Sequence, residues 1–195
     1  MKNLILSALV VTTLVSCGPS TKIEKSWMEP GATVTASAPN KALVIALVKD
    51  ETSRRVIEDQ LVKRLGGDAI ASYTIAANAT EEVLKQKIAD GKFTHVLLMR
   101  LADVEKETSY VPGTTTSYYG GYGRYYGYGA GMYSTPGYYT TDKNYFVETT
   151  VYTVNPDKLV WTGTTKTVNP SKIEKMVNEI GDVVSEKMKK DGFLK

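Results

Sequence analysis

Ala42-Leu43-Val44-Ile45-Ala46-Leu47-Val48 is an unbroken apolar run with no polar position inside it. A strand wetted on one side alternates, whereas a short continuous run suits a central strand covered on both faces. The run therefore predicts a sheet layered by helices, and the sequence on either side fits. Ser53 is placed to cap a helix whose apolar residues Val56, Ile57, Leu61 and Leu65 share one face, and Leu65-Gly66-Gly67 ends it. Residues 69–75 read as a second strand. Thr80 caps a second helix, with Glu81 and Glu82 in its positive first turn and Val83, Leu84 and Ile88 on its apolar face. Gly91 follows that helix, and residues 95–101 form a third strand that runs on as a ribbon to Val111.

Residues 144–154 alternate and are rich in Val, Thr, Tyr and Phe, so they read as a strand. Asn155-Pro156-Asp157-Lys158 turns the chain, and residues 159–168 return as a fifth strand. Asn169 and Pro170 open a long helix whose apolar residues, from Ile173 to Met188, step by three and four until Gly192. The expected fold is α/β (α+β): a mixed five-stranded sheet of order 2-1-3-4-5, with three helices. Right-handed crossovers put the first two helices on opposite faces. This single domain spans residues 41–195. Residues 17–40 hold Pro19, Pro30, Gly31 and Pro39 and show no sustained period, so they read as a flexible tether reaching ~26 Å. Within it, Trp27 docks on the domain and orders part of the tether, stays free, or meets a partner.

Residues 1–16 set the address. Met1-Lys2-Asn3 is a positive start, and residues 4–15 are mostly apolar. Twelve residues of helix reach only about 18 Å, short of a ~30 Å hydrocarbon core, so this is a signal-peptide core rather than a membrane span. The run closes with Leu14-Val15-Ser16-Cys17-Gly18, which resembles the lipobox of bacterial lipoprotein precursors. The resemblance implies acyl chains (palmitate among them) on the Cys17 sulfur and cleavage between Ser16 and Cys17. Cys supplies the strong thiolate nucleophile that thioether formation needs. The residue after Cys17 is Gly18 and not the Asp that retains such proteins at the inner membrane. That favours the outer membrane, facing the periplasm.

Residues 112–141 carry nine of the thirteen tyrosines, many glycines and a single charge, Arg124, with no Val, Ile, Leu or Phe. Such a stretch cannot build its own core. It reads as a long hairpin extension of low complexity between the third and fourth strands. Tyr rings offer large amphipathic area and Gly lets the backbone adapt. Tyr118, Tyr119, Tyr122, Arg124, Tyr125, Tyr126 and Tyr128 are thus candidates for holding an envelope protein or glycan. A solvated loop without a partner fits the composition equally well.

The balance of 24 basic and 21 acidic residues gives a net charge of +3, too little to attract nucleic acid. One Cys and one His exclude zinc fingers, iron–sulfur clusters, intramolecular disulfides and multi-histidine metal sites. No catalytic set, metal site or cofactor is expected. His95, at the start of a strand, reads as structural. Asp50, Glu51, Arg54, Arg55 and Glu58 form a polar cluster at the exit of the first strand, where α/β sheets bind ligands. The i,i+4 spacing of Arg54 and Glu58 suits surface ion pairing, a buried clasp at the sheet edge, or a small-ligand or enzyme site.

Four pieces of the body, Ser26-Trp27-Met28-Glu29-Pro30, residues 54–61, residues 69–73 and Leu159-Val160-Trp161, resemble a family of small uncharacterised bacterial envelope lipoproteins. That resemblance implies no activity. The element order is also similar to the α/β modules of curli-secretion lipoproteins and of lipoprotein activators of peptidoglycan synthases. The expectation is a non-enzymatic, lipid-anchored envelope protein that presents an interaction domain for envelope assembly or maintenance, alone or as an oligomer.

Overall fold

The computed structural model describes residues 20–34, 40–76, 80–113, 115–117, 132–134 and 136–195. In chain order the elements are β1 (Thr21–Met28), β2 (Ala42–Leu47), α1 (Glu51–Leu65), β3 (Ile70–Ala71), α2 (Ser72–Ala76), α3 (Glu81–Asp90), β4 (His95–Val111), β5 (Thr115–Ser117), β6 (Met132–Ser134), β7 (Tyr138–Thr153), β8 (Lys158–Val168) and α4 (Ile173–Lys190). This is a mixed α+β fold. The main sheet runs β3-β2-β4-β7-β8-β1, with β2 parallel to β3 and β4 and the other pairs antiparallel. Among the described residues no helix is long and apolar enough to cross a membrane.

The expected strand order holds, but the count is six and not five. The extra strand, β1, comes from the stretch read as tether and lies against β8. The second expected strand shrinks to Ile70–Ala71, because the chain turns into the short helix α2 at Ser72. That turn makes four helices where three were expected. Asp50, rather than Ser53, caps α1: its carboxylate accepts from Ser53 N at 2.7 Å.

Two apolar clusters sit on opposite faces of the sheet. One packs α1 and α4 onto Val44, Ala46, Met99, Val147, Val151 and Trp161. The other packs the α2–α3 side onto Leu43, Ile45 and Phe93. Consecutive residues of β2 thus serve both clusters, which is why its sequence is apolar without alternation. Trp161 is fully buried and Gly163 makes room for it.

β4 and β7 outrun the body. β2 leaves β4 at Arg100, and β8 leaves β7 at Asn144. Residues 106–111 continue against residues 138–143 as a two-stranded arm. The expected ribbon to Val111 is therefore present. β7 already begins at Tyr138, inside the insertion, and β5 pairs with β6 beyond the arm. At the base, Asn169 adopts φ +45° and brackets β7. Its Oδ1 accepts from Lys143 N at 2.8 Å, and its Nδ2 donates to Asp142 Oδ1 at 2.7 Å. Asn is among the few residues that tolerate this left-handed conformation.

Candidate functional site

The polar cluster at the exit of β2 is built around Glu58, which is fully buried on the sheet side of α1. Its Oε1 accepts from Ala46 N at 3.0 Å, Arg54 Nε at 3.1 Å and Ser72 Oγ at 2.8 Å. Its Oε2 accepts from Tyr73 N at 3.0 Å. Arg54 also donates to Ser72 Oγ at 2.8 Å and lies 3.6 Å from Glu51. Each partner has a structural reason to be there. β3 pairs only with Leu43 and Val44, so the ladder has run out at Ala46, and the carboxylate takes the place of a missing strand. Tyr73 N lies at the start of α2, where helical N–H groups lack partners within the helix.

The structure therefore favours the buried clasp over the ligand site. Both carboxylate oxygens of Glu58 are spent on holding β2, α1 and α2 together. The rest of the cluster faces outward. Arg55 pairs with Glu51 at 3.0 Å and stacks over the Tyr73 ring, whose hydroxyl donates to Asp59 at 2.6 Å. His95 stands at the start of β4, half-buried, with Nδ1 2.9 Å from Thr94 Oγ1. Burial pushes its imidazole down from the usual value, which keeps the ring neutral at pH 7.

Asp50 is an exposed helix cap. Hydrogen bonds from Ser53, its side chain first and then its backbone N–H, hold the Asp50 carboxyl below the usual range. A depressed carboxyl adds stability above its unfolded pKa and loses it as pH falls through the folded one. Asp50→Ala is expected to lower the Tm at pH 7, and the gap to the parent should close below about pH 4. A gap that persists in acid would assign the loss to something other than the charged cap.

The arm is a second candidate. Charged residues stand at its base, with Glu105, Lys106 and Glu107 opposite Asn144, Lys143 and Asp142. Beyond them come aromatics. Tyr110 and Tyr139 face each other across the strands, their ring centroids 5.0 Å apart. Tyr110, Tyr138 and Tyr139 are 57%, 62% and 75% exposed, so they pack against nothing in the body. Leu47, Leu101 and Val104 are also exposed, toward the same end of the sheet. Tyr118, Tyr119, Tyr122, Arg124, Tyr125, Tyr126 and Tyr128 lie outside the described residues, as do Ser16 and Cys17.

The chain enters the sheet at this end too. Ser20 O accepts from Val168 N at 3.0 Å. Glu179 of α4 accepts from Ser20 Oγ at 2.7 Å and Thr21 Oγ1 at 3.0 Å. Nothing in the sequence singled out Glu179; only the placement of β1 beside α4 reveals it.

No protein-family model matches this chain, and no curated protein matches it. Among solved structures it is similar to a dodecameric PelC variant from Paraburkholderia phytofirmans, at 12% identity and TM-score 0.46, covering 83% of this chain and 95% of that one. It is also similar to lipoprotein GNA1162 from Neisseria meningitidis, at 7% identity and TM-score 0.42, covering 78% of this chain and 99% of that one.

Proposed function

We propose that this is a non-enzymatic, lipid-anchored envelope protein whose arm meets the bilayer that holds it. The supporting observation is that the chain enters the fold at Ser20 on the end of the sheet from which the arm projects. Cys17 is three residues from Ser20, and three residues span at most ~11 Å. The arm continues from Asn144 to Tyr138, about 20 Å beyond that level at ~3.4 Å per residue. With acyl chains on Cys17, the ~26 Å stand-off expected of a flexible tether disappears and the arm reaches the headgroups. Tyr at its far part and charge at its base follow the polarity gradient of an interface, where amphipathic rings favour the headgroup level. The bilayer is taken to be the outer membrane on its periplasmic side, as Gly18 favours.

Two measurements test this. Radiolabelled palmitate should enter the parent chain, and Cys17→Ser should abolish both the label and co-sedimentation with membranes. A Cys17→Ser chain that still sediments would overturn the anchor. Nitroxides placed at Ser109 and Thr140 of the vesicle-bound, lipidated chain should be shielded from a water-soluble nickel chelate. A nitroxide at Asp157, at the opposite end, should be fully accessible. Equal accessibility at all three positions would remove the arm from the bilayer while leaving the anchor standing.

A further inference from the structure

The arm has two faces, and charge is sorted between them. Residues opposite each other in an antiparallel pair share a face, and successive pairs alternate. Lys106 thus shares one face with Lys143, Thr108 with Thr141, and Tyr110 with Tyr139. Contacts within that face agree: Thr108 Oγ1 and Thr141 Oγ1 lie 3.3 Å apart, and the two Tyr rings meet. The other face carries Glu105, Glu107 and Asp142, with Ser109 and Thr140 beyond them. Two of these pairs set like charges directly opposite each other, Lys106 against Lys143 and Glu107 against Asp142. Such pairs destabilise an isolated ribbon. Neither lysine makes an ion pair among the described residues. Glu107 and Asp142 receive only the side-chain amides of Asn144 and Asn169 there. The lysine row and the carboxylate row are neighbours, about 3.4 Å apart along the arm. One arm cannot bring its lysines onto its own carboxylates, because its backbone lies between them. A second arm standing alongside at the same height can, row for row.

The geometry points to a second copy of this chain as the partner: neighbouring copies stack arm on arm, the Lys106 and Lys143 face of one against the Glu105, Glu107 and Asp142 face of the next. The equal height rests on the anchoring proposed above, which holds every copy to one bilayer by the same end. Sheets pack face to face about 10 Å apart, a gap that Lys and Glu side chains meeting head-on can fill. The α1–α4 layer lies on the lysine side of the sheet, so it holds the bodies further apart than the arms and successive copies splay. Different faces meet, so the contact is heterologous and passes from copy to copy as a row or a closed ring. Two six-pair ribbons offer only about 20 Å by 10 Å of contact. That is less than the ~800 Å² a side of a standard interface, so the contact depends on the bilayer to concentrate the copies.

The test uses the lipidated full chain on vesicles. Thr141→Cys puts a thiol on the lysine face and Thr140→Cys puts one on the carboxylate face, while the Cys17 sulfur carries its lipid and does not react. With a bis-maleimide reaching about 10 Å, a mixture of the two variants should yield two-chain products. Either variant alone, at the same density, should yield about tenfold less. Lys106→Glu with Lys143→Glu in the Thr141→Cys chain should cut the mixed yield about tenfold. Glu105→Lys with Glu107→Lys in the Thr140→Cys chain should then restore it, which a misfolded arm could not do. Single variants that crosslink as well as the mixture, or a mixed yield indifferent to charge reversal, overturn the stacking. No product from chains that keep palmitate and sediment with the vesicles overturns the stacking and leaves the anchor standing. Loss of the label overturns both.

Discussion

Glu58→Gln is expected to cost the fold about 3–5 kcal/mol, the range for breaking a buried charge pair from one side. The substitution keeps the shape and still fails. Every group facing the carboxylate is a donor: Ala46 N, Arg54 Nε, Ser72 Oγ and Tyr73 N. An amide must turn its own N–H₂ toward at least one of them, and Arg54 loses the nearer of its two counter-charges, keeping only Glu51 at 3.6 Å. Buried pairs elsewhere are often replaced by apolar residues of similar volume without loss. That remedy is expected to fail here. A double change of Arg54→Met and Glu58→Leu strands the N–H groups of Ala46 and Tyr73, which donate to the Glu58 oxygens. Urea unfolding of the three proteins decides it. A double variant as stable as the parent would reduce the clasp to an ordinary ion pair.

Trp161→Ala is expected to cost about as much, 3–5 kcal/mol, for a different reason. The indole is fully buried at the centre of the larger core, among residues of α1, α4 and four strands. Its removal leaves a hollow that rigid strands cannot close. The ring also has a polar tie: Nε1 donates to Asp191 Oδ2 at 3.3 Å, just past the end of α4. Gly163 confirms how tightly the indole is seated. A Cβ there would lie 2.4 Å from Cη2 of the ring, so Gly163→Ala should destabilise as well, by displacing the indole. Trp161→Phe should recover much of the loss, because most of the buried area returns without the hydrogen bond. Unfolding followed by circular dichroism checks the series, since the substitution removes one of the two fluorescent indoles. If Trp161→Ala unfolds at the parent's midpoint, the core is not centred where the burial places it.

Much of the sheet was legible because its signals are local. The unbroken run of β2 and the stepped apolar residues of α4 each state a burial pattern within one segment. β1 was hidden by a bulge. Thr21 and Ile23 alternate with Lys22, but the register shifts between Ile23 and Lys25, so the period of two breaks halfway. The second expected strand failed through a contact distant in sequence: Glu58 captures the Tyr73 N–H and starts a helix in a segment of strand-like composition. The clasp itself was half visible. Arg54 and Glu58 show their i,i+4 spacing to any reader, but the backbone N–H groups that bury the carboxylate carry no sequence signature. Charge pairs on a helix ordinarily face water, and only the short edge strand makes this one face inward.

The bracket at Asn169 bears on protein engineering. Its amide holds Lys143 and Asp142 from outside the hairpin, after β8 has ended, so the direction in which the ribbon leaves the body is set by a residue some thirty positions along the chain from the arm's outermost pair, Val111 and Tyr138. A ribbon transplanted onto another scaffold as a self-contained hairpin would arrive without its own aiming device. The smallest transferable unit is β4 through Asn169.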